Sequence, residues 1–530
     1  MHWADFAAQR LAERGNDHVI ATGITPSGHI HVGNMREALT GDMLRRACSD
    51  AGLNAELIYI ADNADPLRKV YSFLDDSYSQ YIGHPLANIP APDEKGRPEG
   101  DISYAQYHLE PFLAALDETG VKVRVVDNHQ AYLEGRYAEY AKKVCDSKEI
   151  LREIMERVSG REFPDDWFPY NPIDSQGSMD GVKITSYEWP YLNWVDSHGV
   201  EGRSDLRIGD GKLPWRIEWP AKWGWNEVTC EPFGKDHSAA GGSFDTGKEI
   251  CRIFGNEAPM SLPYEWISLK GKGAMSSSTG VVLTARELLD IVPPSIMRFL
   301  IAKNKPKKAI EFDTGEGLID LADEFERGQK SLGDVDTEGM NKRQRVAFET
   351  QLGAIRLSQI NENTDPAYSM GGVSFRHLSM LAQIKNDDAA VWESLSRTHG
   401  IDPSSPNPVL TDRLRRMRNW ISGEQFPVSA RISLRSDVGP RWAEGLAPGT
   451  GTFLNQLFEN SGRIDFNEAG ISAWVREAIT SSAIDHKSAY SILYRLFLGA
   501  DDGPRLASLL SALDPTEVFS VLEKAIEMLD

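Results

Sequence analysis

Cysteine is scarce in this chain: only four of its 530 residues are cysteines, and no two of them are spaced as CxxC. Disulfide frameworks and cysteine-rich structural zinc sites both need grouped cysteines. The sequence therefore argues against both and favours a protein of the reducing cytoplasm. The four cysteines are Cys48, Cys145, Cys230 and Cys251.

Long apolar stretches are missing as well. No run of about 18 apolar residues occurs, so no helix is expected to span a bilayer. The N-terminal stretch MHWADFAAQRLAERGNDHV lacks the apolar core of a secretory signal. We expect a cytoplasmic protein with no membrane partner.

Basic residues are outnumbered: 57 Lys and Arg face 78 Asp and Glu, for a formal net charge of −21. Over the whole chain this balance counts against nucleic-acid binding. It does not exclude such binding, because phosphate contacts need only a local basic face. The hydrophobic share of 41% and the charged share of 25% are typical of globular proteins, and the length predicts about two to four domains.

A strand, a turn, a helix and a second strand follow one another near the N-terminus. The β-branched run His18–Gly23 predicts a buried strand, apolar residues at helical spacing predict a helix over 33–49, and Ala55–Ala61 predicts the next strand. This order is a βαβ unit, and Val121–Asp127 adds a further strand. We therefore expect an α/β fold with a Rossmann-like, doubly wound parallel sheet and inserted loops.

Composition and periodicity divide the chain into three predicted domains. A catalytic domain covers residues 1–265 and carries two irregular insertions, at about 84–120 and 160–224. A connecting region covers 266–335. Helical periodicity predicts an all-α domain over 336–530.

The most informative stretch is PSGHIHVGNM, residues 26–35, where the first strand meets the helix. A helix N-terminus presents unpaired N–H groups and a partial positive charge, which attract phosphate. His31 and Asn34 stand on the first turn and would point toward such a phosphate, while Gly33 leaves room for a flat ring. A glycine-rich turn with solvated histidines is the alternative.

This motif resembles the HIGH signature of class I aminoacyl-tRNA synthetases, with Asn34 in the last position. The resemblance implies adenylyl transfer, in which the enzyme stabilises charge on the α-phosphate of ATP without forming a covalent intermediate. It implies that His31 and Asn34 are catalytic. The neighbours expected to line the same ATP site are Thr25, Ser27, His29 and Gly33.

A second signature, KGKGAMSSSTG at 270–280, is a Gly- and Ser-rich loop with two lysines. Such a loop can close lysines over a triphosphate, although a surface linker has the same composition. It resembles the KMSKS loop, but Ala274 and Ser277 replace the two lysines of that motif, so either Lys270 or Lys272 takes over or pyrophosphate is stabilised less. The resemblance assigns catalysis to Lys272, Ser276, Ser277 and Ser278, and ATP binding to Lys270 and Met275.

Four further stretches resemble the class I form of lysyl-tRNA synthetase. They are DNADPLRKV (62–70), GKLPWRIEWPAKW (211–223), EPFGKDHSAAGGSFDTG (231–247) and PYEWISLKGK (263–272). The similarity extends over about residues 23–313, and the helical remainder resembles only an anticodon-binding domain. Membership implies a monomeric lysine–tRNA ligase whose partners are lysine, tRNA(Lys) and ATP with Mg²⁺.

A lysine site needs aromatic or apolar walls for the aliphatic stem and a carboxylate for the ammonium group. The candidate walls are Trp215, Trp219, His237 and Tyr264, and family analogy adds Gly23 and Thr25. The candidate ammonium partners are Asp62, Asp65 and Glu218, among which the sequence does not choose. Asp236 resembles the acidic residue that holds the ATP ribose. Packed tryptophans and an ordinary exposed aspartate are the alternatives.

Many lysyl members of this class carry zinc-binding cysteine pairs in the second insertion. Here residues 171–184, NPIDSQGSMDGVKI, contain neither cysteine nor histidine. Tetrahedral zinc needs about four N or S ligands. We therefore predict no zinc and no other protein metal site.

An acidic protein must concentrate its tRNA contacts in a basic region. Arginines cluster over 413–441, with Trp420 and Trp442 among them. Arginines engage phosphates, and aromatic rings stack on unpaired bases. The residues predicted to contact tRNA are Arg413, Arg415, Arg416, Arg418 and Trp420. The alternative is a helix that packs on its neighbour and leaves a solvated arginine face. Lys303–Lys308 is a second basic cluster.

Three alternative functions stay open on the sequence alone. The chain could be a class I synthetase for another amino acid, such as glutamate or cysteine. It could be a nucleotidyltransferase acting on a small substrate without tRNA. It could also be a tRNA-binding paralogue with a decayed active site, as Ala274 would allow.

Overall fold

The computed structural model describes residues 1–271, 273–274, 283–331, 339–361, 370–435, 437–443 and 445–529. The chain divides into two compact units. The first unit contains Met1–Leu289, Pro294–Asp313 and Ser331–Thr364, and the second contains Asp290–Pro293, Thr314–Lys330 and Asp365–Asp530. The three-domain division drawn from the sequence stays a prediction.

The strands all lie in the first unit. They are β1 (Asp17–Ile24), β2 (Asn54–Ala61), β3 (Arg124–Asp127), β4 (Asn171–Pro172), β5 (Lys183–Glu188), β6 (Tyr191–Val195), β7 (Glu201–Asp205), β8 (Gly211–Lys212), β9 (Val228–Gly234), β10 (Met260–Tyr264), β11 (Ile267–Leu269), β12 (Gly273–Ala274) and β13 (Ile310–Phe312).

The first unit also contains eleven of the α-helices that the structure describes. They are α1 (Trp3–Ala12), α2 (Val32–Asp50), α3 (Tyr104–Glu118), α4 (Asn128–Leu133), α5 (Ala138–Asp146), α6 (Lys148–Ser159), α7 (Trp215–Trp225), α8 (Ser243–Phe254), α9 (Ala285–Leu289), α10 (Pro294–Ala302) and α12 (Lys342–Leu357). Helix α11 (Glu316–Lys330) precedes α12 in the chain but belongs to the second unit.

A five-stranded parallel sheet in the order β10-β9-β1-β2-β3 forms the centre of the first unit. Helix α2 follows β1 and buries its apolar side chains against the sheet. Gly41 allows the close approach, because a Cβ there would lie 2.8 Å from Leu57 Cδ1 of β2. The strand order reverses between β1 and β9, as in doubly wound folds. The predicted α/β fold is confirmed.

The second insertion is more regular than the sequence suggested. Residues predicted to be irregular form the antiparallel sheet β5-β6-β7 and the helix α7. Trp194 of β6 packs over Gly202 of β7, where a Cβ would lie 2.2 Å from the indole ring. These strands are short and their pairing partners are close in the chain, so period-two alternation is too brief to detect.

The second unit is helical throughout its described residues. Besides α11, its helices are α13 (Phe375–Ile384), α14 (Asp388–His399), α15 (Pro408–Ser422), α16 (Thr450–Glu459), α17 (Glu468–Ser482), α18 (His486–Leu498), α19 (Leu506–Ala512) and α20 (Pro515–Glu527). Within the described part of the chain, no helix combines the length and the hydropathy needed to cross a bilayer.

Candidate active site

A cavity of about 470 Å³ opens at the carboxyl ends of β1, β2, β9 and β10. Open α/β sheets bind ligands at the point where their strand order reverses, and this cavity lies there. The residues singled out from the sequence that line it are Gly23, Thr25, Asn34, Asp62, Asp65, Trp215, Trp219, Asp236, His237 and Tyr264.

The N-terminus of α2 is capped by two residues of the sequence motif, His31 and Asn34. His31 Nδ1 accepts a hydrogen bond from the Gly33 N–H at 3.0 Å, and Asn34 Oδ1 accepts one from the His31 N–H at 3.3 Å. Burial lowers the pKa of His31. Since Nδ1 accepts, the neutral ring carries its proton on Nε2 and presents a donor there.

The space left by Gly33 is filled by a ring of the protein itself. A Cβ at this position would lie 2.7 Å from Cε1 of the His31 imidazole. Glycine is therefore needed for the cap of α2, and the flat ring expected beside it is the His31 side chain. The ATP contact proposed for Gly33 is not needed to explain the residue.

Ser27 and His29 pack toward α3. Tyr104 Oη donates a hydrogen bond to the Ser27 carbonyl oxygen at 2.9 Å. The His29 ring centroid lies 5.1 Å from the ring centroids of both Phe73 and His108. Contacts of Ser27 and His29 with ATP stay predictions.

Two carboxyl groups, that of the partly buried Glu37 and that of the buried Glu231, line the cavity without an ion pair among the described residues. Glu37 accepts hydrogen bonds from the Gly23 N–H at 3.0 Å and from Tyr264 Oη at 2.6 Å. Glu231 accepts a hydrogen bond from Trp219 Nε1 at 2.9 Å and another from Trp223 Nε1. These neutral donors satisfy the oxygens but do not balance the charge.

Both carboxyl groups therefore titrate far above their usual range. Burial, reinforced by the nearby Asp62 carboxylate, raises the pKa of Glu37 to about 7. Burial, reinforced by Glu37, raises the pKa of Glu231 to about 8. A cation entering the cavity would restore the ionised form of both groups. Paired carboxyls of this kind, poised in a cleft, are a signature of a functional site.

Sequence reasoning missed these two glutamates, although signals for both existed. Glu37 stands three residues after Asn34 on α2, so the two side chains share one face of the helix. Glu231 begins the stretch EPFGKDH that was matched to a family motif, but the residue itself was not singled out.

The three carboxylates proposed to hold the ammonium group are already paired with lysines of the protein. Glu218 lies 3.0 Å from both Lys212 and Lys222, and it is 1% exposed. Lys212 also pairs with Asp65, and Lys222 pairs with Asp62. Buried lysines need such partners, because an unpaired buried charge is costly.

Of the three carboxylates, Asp62 and Asp65 line the cavity, and their role as ammonium partners stays a prediction, whereas the choice of Glu218 was wrong. Glu218 is enclosed by its two lysines and does not line the cavity. Burial opposes ionisation of Asp65, but Lys212 and Lys222 outweigh it and lower the Asp65 pKa to about 2. Asp65 also accepts a hydrogen bond from Thr25 Oγ1 at 2.6 Å. The cluster therefore orients Thr25 at the cavity wall.

Aromatic rings form one side of the cavity. The Trp219 ring centroid lies 5.3 Å from that of His237 and 5.4 Å from that of Phe233. The Trp215 centroid lies 6.0 Å from that of His237, and Tyr264 faces the same space. Such walls suit an aliphatic chain or a planar base. Asp236 lies beside them, in the turn after β9.

Of the predicted lysine loop, Lys270 directly follows β11, and its Nζ lies 3.0 Å from Asp313 Oδ2. Lys272, Met275, Ser276, Ser277 and Ser278 lie outside the described residues. Their roles, and the question of which lysine replaces the one missing at Ala274, stay predictions.

Two of the residues predicted to contact tRNA are buried in the second unit. Arg413 donates a hydrogen bond to the Val373 carbonyl oxygen at 2.7 Å and another to that of Met370. Trp420 is fully buried and donates to the Thr314 carbonyl oxygen at 2.7 Å. Neither side chain is accessible to a base or a phosphate, so the prediction that Arg413 and Trp420 contact tRNA was wrong.

The other arginines of α15 include one that is buried and two that are partly exposed. Arg416 is 3% exposed and pairs with Asp412 at 2.6 Å, so it too is structural. Arg415 is half-exposed and shares Asp412 at 2.9 Å. Arg418 is partly exposed and donates to the Ala382 carbonyl oxygen at 2.6 Å. A tRNA contact stays a prediction for Arg415 and Arg418.

Among the residues that the structure describes, no group of three or more His, Cys, Asp or Glu side chains could hold a metal ion. Residues 171–184 belong to this described part of the chain. The absence of zinc stays a prediction.

Comparison with known proteins gives a consistent result. The family model described as "tRNA synthetases class I (K)" matches residues 1–354. A lysine–tRNA ligase of Methanosarcina barkeri is 46% identical over 548 residues, covering 99% of this chain and 98% of that protein. A lysine–tRNA ligase of Thermoplasma volcanium is 39% identical over 514 residues, covering 96% of each. One of Picrophilus torridus is 37% identical over 508 residues, covering 96% of this chain and 95% of that protein.

Proposed function

This chain belongs to the class I tRNA synthetases of the lysine type, and from that premise we propose how its cavity performs the reaction of the family. The chain activates lysine with ATP and transfers it to the 3′ end of tRNA(Lys). A lysine carboxylate oxygen attacks the α-phosphorus, and pyrophosphate leaves as lysyl-adenylate forms. A hydroxyl of the terminal adenosine of tRNA then attacks the carbonyl carbon, and AMP leaves.

The observation that carries the site assignment is the presence of two cavity-lining carboxyl groups that form no ion pair in the described part of the chain. Glu37 and Glu231 have pKa values raised to about 7 and about 8, and neither forms an ion pair among the described residues. The lysine ammonium, with three donors on a long aliphatic stem, supplies the missing charge. The aromatic wall around Trp219 would enclose the stem.

The same two groups oppose the alternative amino acids. A glutamate side chain would bring a third carboxylate against Glu37 and Glu231, and like charges in a buried site repel strongly. A cysteine side chain is too short to reach a cation site at the end of a stem pocket, and it carries no positive charge. The cavity therefore favours lysine over both.

Activation would use the first turn of α2. His31 Nε2 is the donor that the capped ring leaves available, and the Asn34 amide lies on the cavity wall. Directed at the α-phosphate, these groups would stabilise the charge that develops as pyrophosphate leaves. ATP enters as its Mg²⁺ complex. The lysine-bearing loop, Lys270 and Lys272 with Ser276, Ser277 and Ser278, would then close over the β- and γ-phosphates.

The second unit would hold the tRNA by its anticodon region. Its exposed α15 arginines, Arg415 and Arg418, are the proposed phosphate contacts. We also propose that the chain works as a monomer in the cytoplasm, which agrees with four buried cysteines that form no disulfide. Gel filtration with light scattering checks the first of these statements.

A charging assay tests the function. Purified protein is incubated with ATP, Mg²⁺ and tRNA(Lys) transcript, and with radiolabelled lysine, glutamate or cysteine in parallel. We expect acid-precipitable lysyl-tRNA only, and lysine-dependent exchange of pyrophosphate into ATP when tRNA is present. Binding of tRNA without charging would identify the decayed paralogue, and charging with glutamate or cysteine would reject the lysine assignment.

A further inference from the structure

A short segment after β2, Arg68–Phe73, reaches from the cavity across the surface of the first unit. Arg68 lines the cavity, is exposed, and forms no ion pair or hydrogen bond among the described residues. The other basic cavity residue, Lys222, is held by Asp62 and Glu218. Arg68 therefore presents a guanidinium group at the cavity that no carboxylate contacts among the described residues.

Two aromatic rings follow Arg68 in the chain. The rings of Tyr71 and Phe73 are stacked, with centroids 5.6 Å apart and planes 5° from parallel. Lys69 Nζ lies 5.5 Å from the Tyr71 centroid. The Phe73 centroid lies 5.1 Å from that of His29, two residues before His31. The row of rings thus runs from the surface to the motif at the start of α2.

The segment is packed onto the first unit by a buried leucine at each end. Leu67 and Leu74 are buried in a small apolar cluster, whereas Tyr71 and Phe73 remain partly exposed against it. Gly96 packs so closely beneath that a Cβ there would lie 2.8 Å from the Phe73 carbonyl oxygen. The two leucines account for the packing of the segment. They do not account for two stacked, accessible rings flanked by two cations.

We propose that Arg68–Phe73 binds the unpaired 3′ end of the tRNA, with phosphates on Arg68 and Lys69 and a base stacked on Tyr71. This inference rests on the proposed function, since the reacting hydroxyl at that end must enter the cavity. Single-stranded nucleic acids are held by aromatic stacking platforms alternating with basic side chains. The segment combines both features beside the cavity at the carboxyl ends of the sheet, which Arg68 lines.

Equilibrium binding to two forms of the tRNA tests the inference without catalysis. One form is the full tRNA(Lys) transcript, and the other lacks the unpaired nucleotides of the 3′ end. Wild type should bind the full form more tightly. Tyr71→Leu should lose roughly 5- to 100-fold in affinity for the full form and nothing for the shortened form. Tyr71→Trp keeps a stacking ring and should restore the difference.

Two further variants sharpen the test. Arg68→Gln, at an exposed position, should make the slope of log K against log salt concentration less steep by about 0.7. This change is expected for the full form only. Tyr490→Leu, at an exposed tyrosine of the second unit, is the matched control and should leave the difference between the two forms unchanged.

Equal affinity of wild type for the two tRNA forms would overturn the inference. So would a Tyr71→Leu variant that binds both forms like wild type or loses the same factor on both. These failures are distinct from failure of the proposed function, which is a wild-type protein that charges no lysine. If the protein charges lysine but Tyr71→Leu does not change the affinity difference between the two tRNA forms, only the role of Arg68–Phe73 is rejected.

Discussion

Replacing Glu37 by glutamine tests the electrostatic basis of lysine recognition. The side chain keeps its size and one carbonyl-type acceptor for the Gly23 N–H or Tyr264 Oη. It loses its negative charge. Because the glutamate has a pKa raised to about 7 and forms no ion pair in the described structure, the substitution should cost the free protein little.

The expected loss follows from what the ammonium group would lack. A hydrogen bond to a charged partner contributes about 1.5–3 kcal/mol, and removing one member of a buried ion pair costs about 3–5 kcal/mol. Glu231 remains in the cavity and can still attract the ammonium, so the lower range applies. At about 1.4 kcal/mol per factor of ten, kcat/KM for lysine should fall roughly 10- to 150-fold.

Steady-state charging with lysine varied, at saturating ATP and tRNA, measures this ratio. KM for ATP should stay within about twofold of wild type, since Glu37 is assigned to lysine alone. Glu13→Gln, at an exposed glutamate that follows α1, is the matched control. A fall in kcat/KM below threefold, or an equal rise of the KM for ATP, would refute the assignment.

Three other predictions follow from the same site. Lysine affinity should rise with pH through about 7 to 8, because Glu37 and Glu231 must ionise to bind the ammonium group. The unfolding free energy of the ligand-free protein should fall over about pH 4.5 to 8, because the folded state retains protons that the unfolded state has lost. Calorimetry across pH measures both quantities. His31→Asn keeps a good N-cap but removes the imidazole donor, so lysine-dependent exchange with tRNA present should slow about 10²- to 10³-fold while thermal stability and tRNA affinity hold; a rate near that of wild type contradicts this role. Lys212→Met should lower stability by about 3–5 kcal/mol in urea unfolding, whereas exposed Lys122→Met should have no effect, and equal stability of the two variants would contradict the buried cluster.

Local patterns were sufficient for the elements that build the cavity. The predicted strand His18–Gly23 lies within β1, and the helix predicted over 33–49 is α2 with one more residue at each end. Both signals are local, since strand composition and helical periodicity are written in consecutive residues. The antiparallel insertion was missed because its stability comes from cross-strand contacts, such as Trp194 over Gly202, that no window of sequence displays.

The site was predictable by residue type but not by pairing. Trp219, His237 and Tyr264 do line the cavity, as their positions in the motifs indicated. Glu218 was chosen because a carboxylate was needed, but Lys222, four residues later on α7, and Lys212 of β8 already pair with it. Ion pairing between separate elements is a property of the fold, and it decides which carboxylates remain for a substrate.

A similar limit applies to the arginines of α15. Their clustering indicated a basic surface, yet Arg413 and Arg416 point into the second unit and satisfy carbonyl and carboxylate oxygens there. Trp420 is buried for the same reason. Spacing along a helix shows which side chains share a face, but the neighbouring helices determine which face is covered.

Comparison of lysine with norleucine tests the central claim most directly. Norleucine keeps the aliphatic stem but lacks the ε-ammonium group. The comparison therefore removes only the positive charge that Glu37 and Glu231 are proposed to bind. Calorimetric titration of the wild-type protein and of the Glu37→Gln, Glu231→Gln double variant, at pH 8 with an ATP analogue and tRNA, measures both affinities. The account predicts that wild type binds lysine at least about 100-fold more tightly than norleucine, and that the double variant loses this preference. A double variant that still discriminates as wild type does would contradict it.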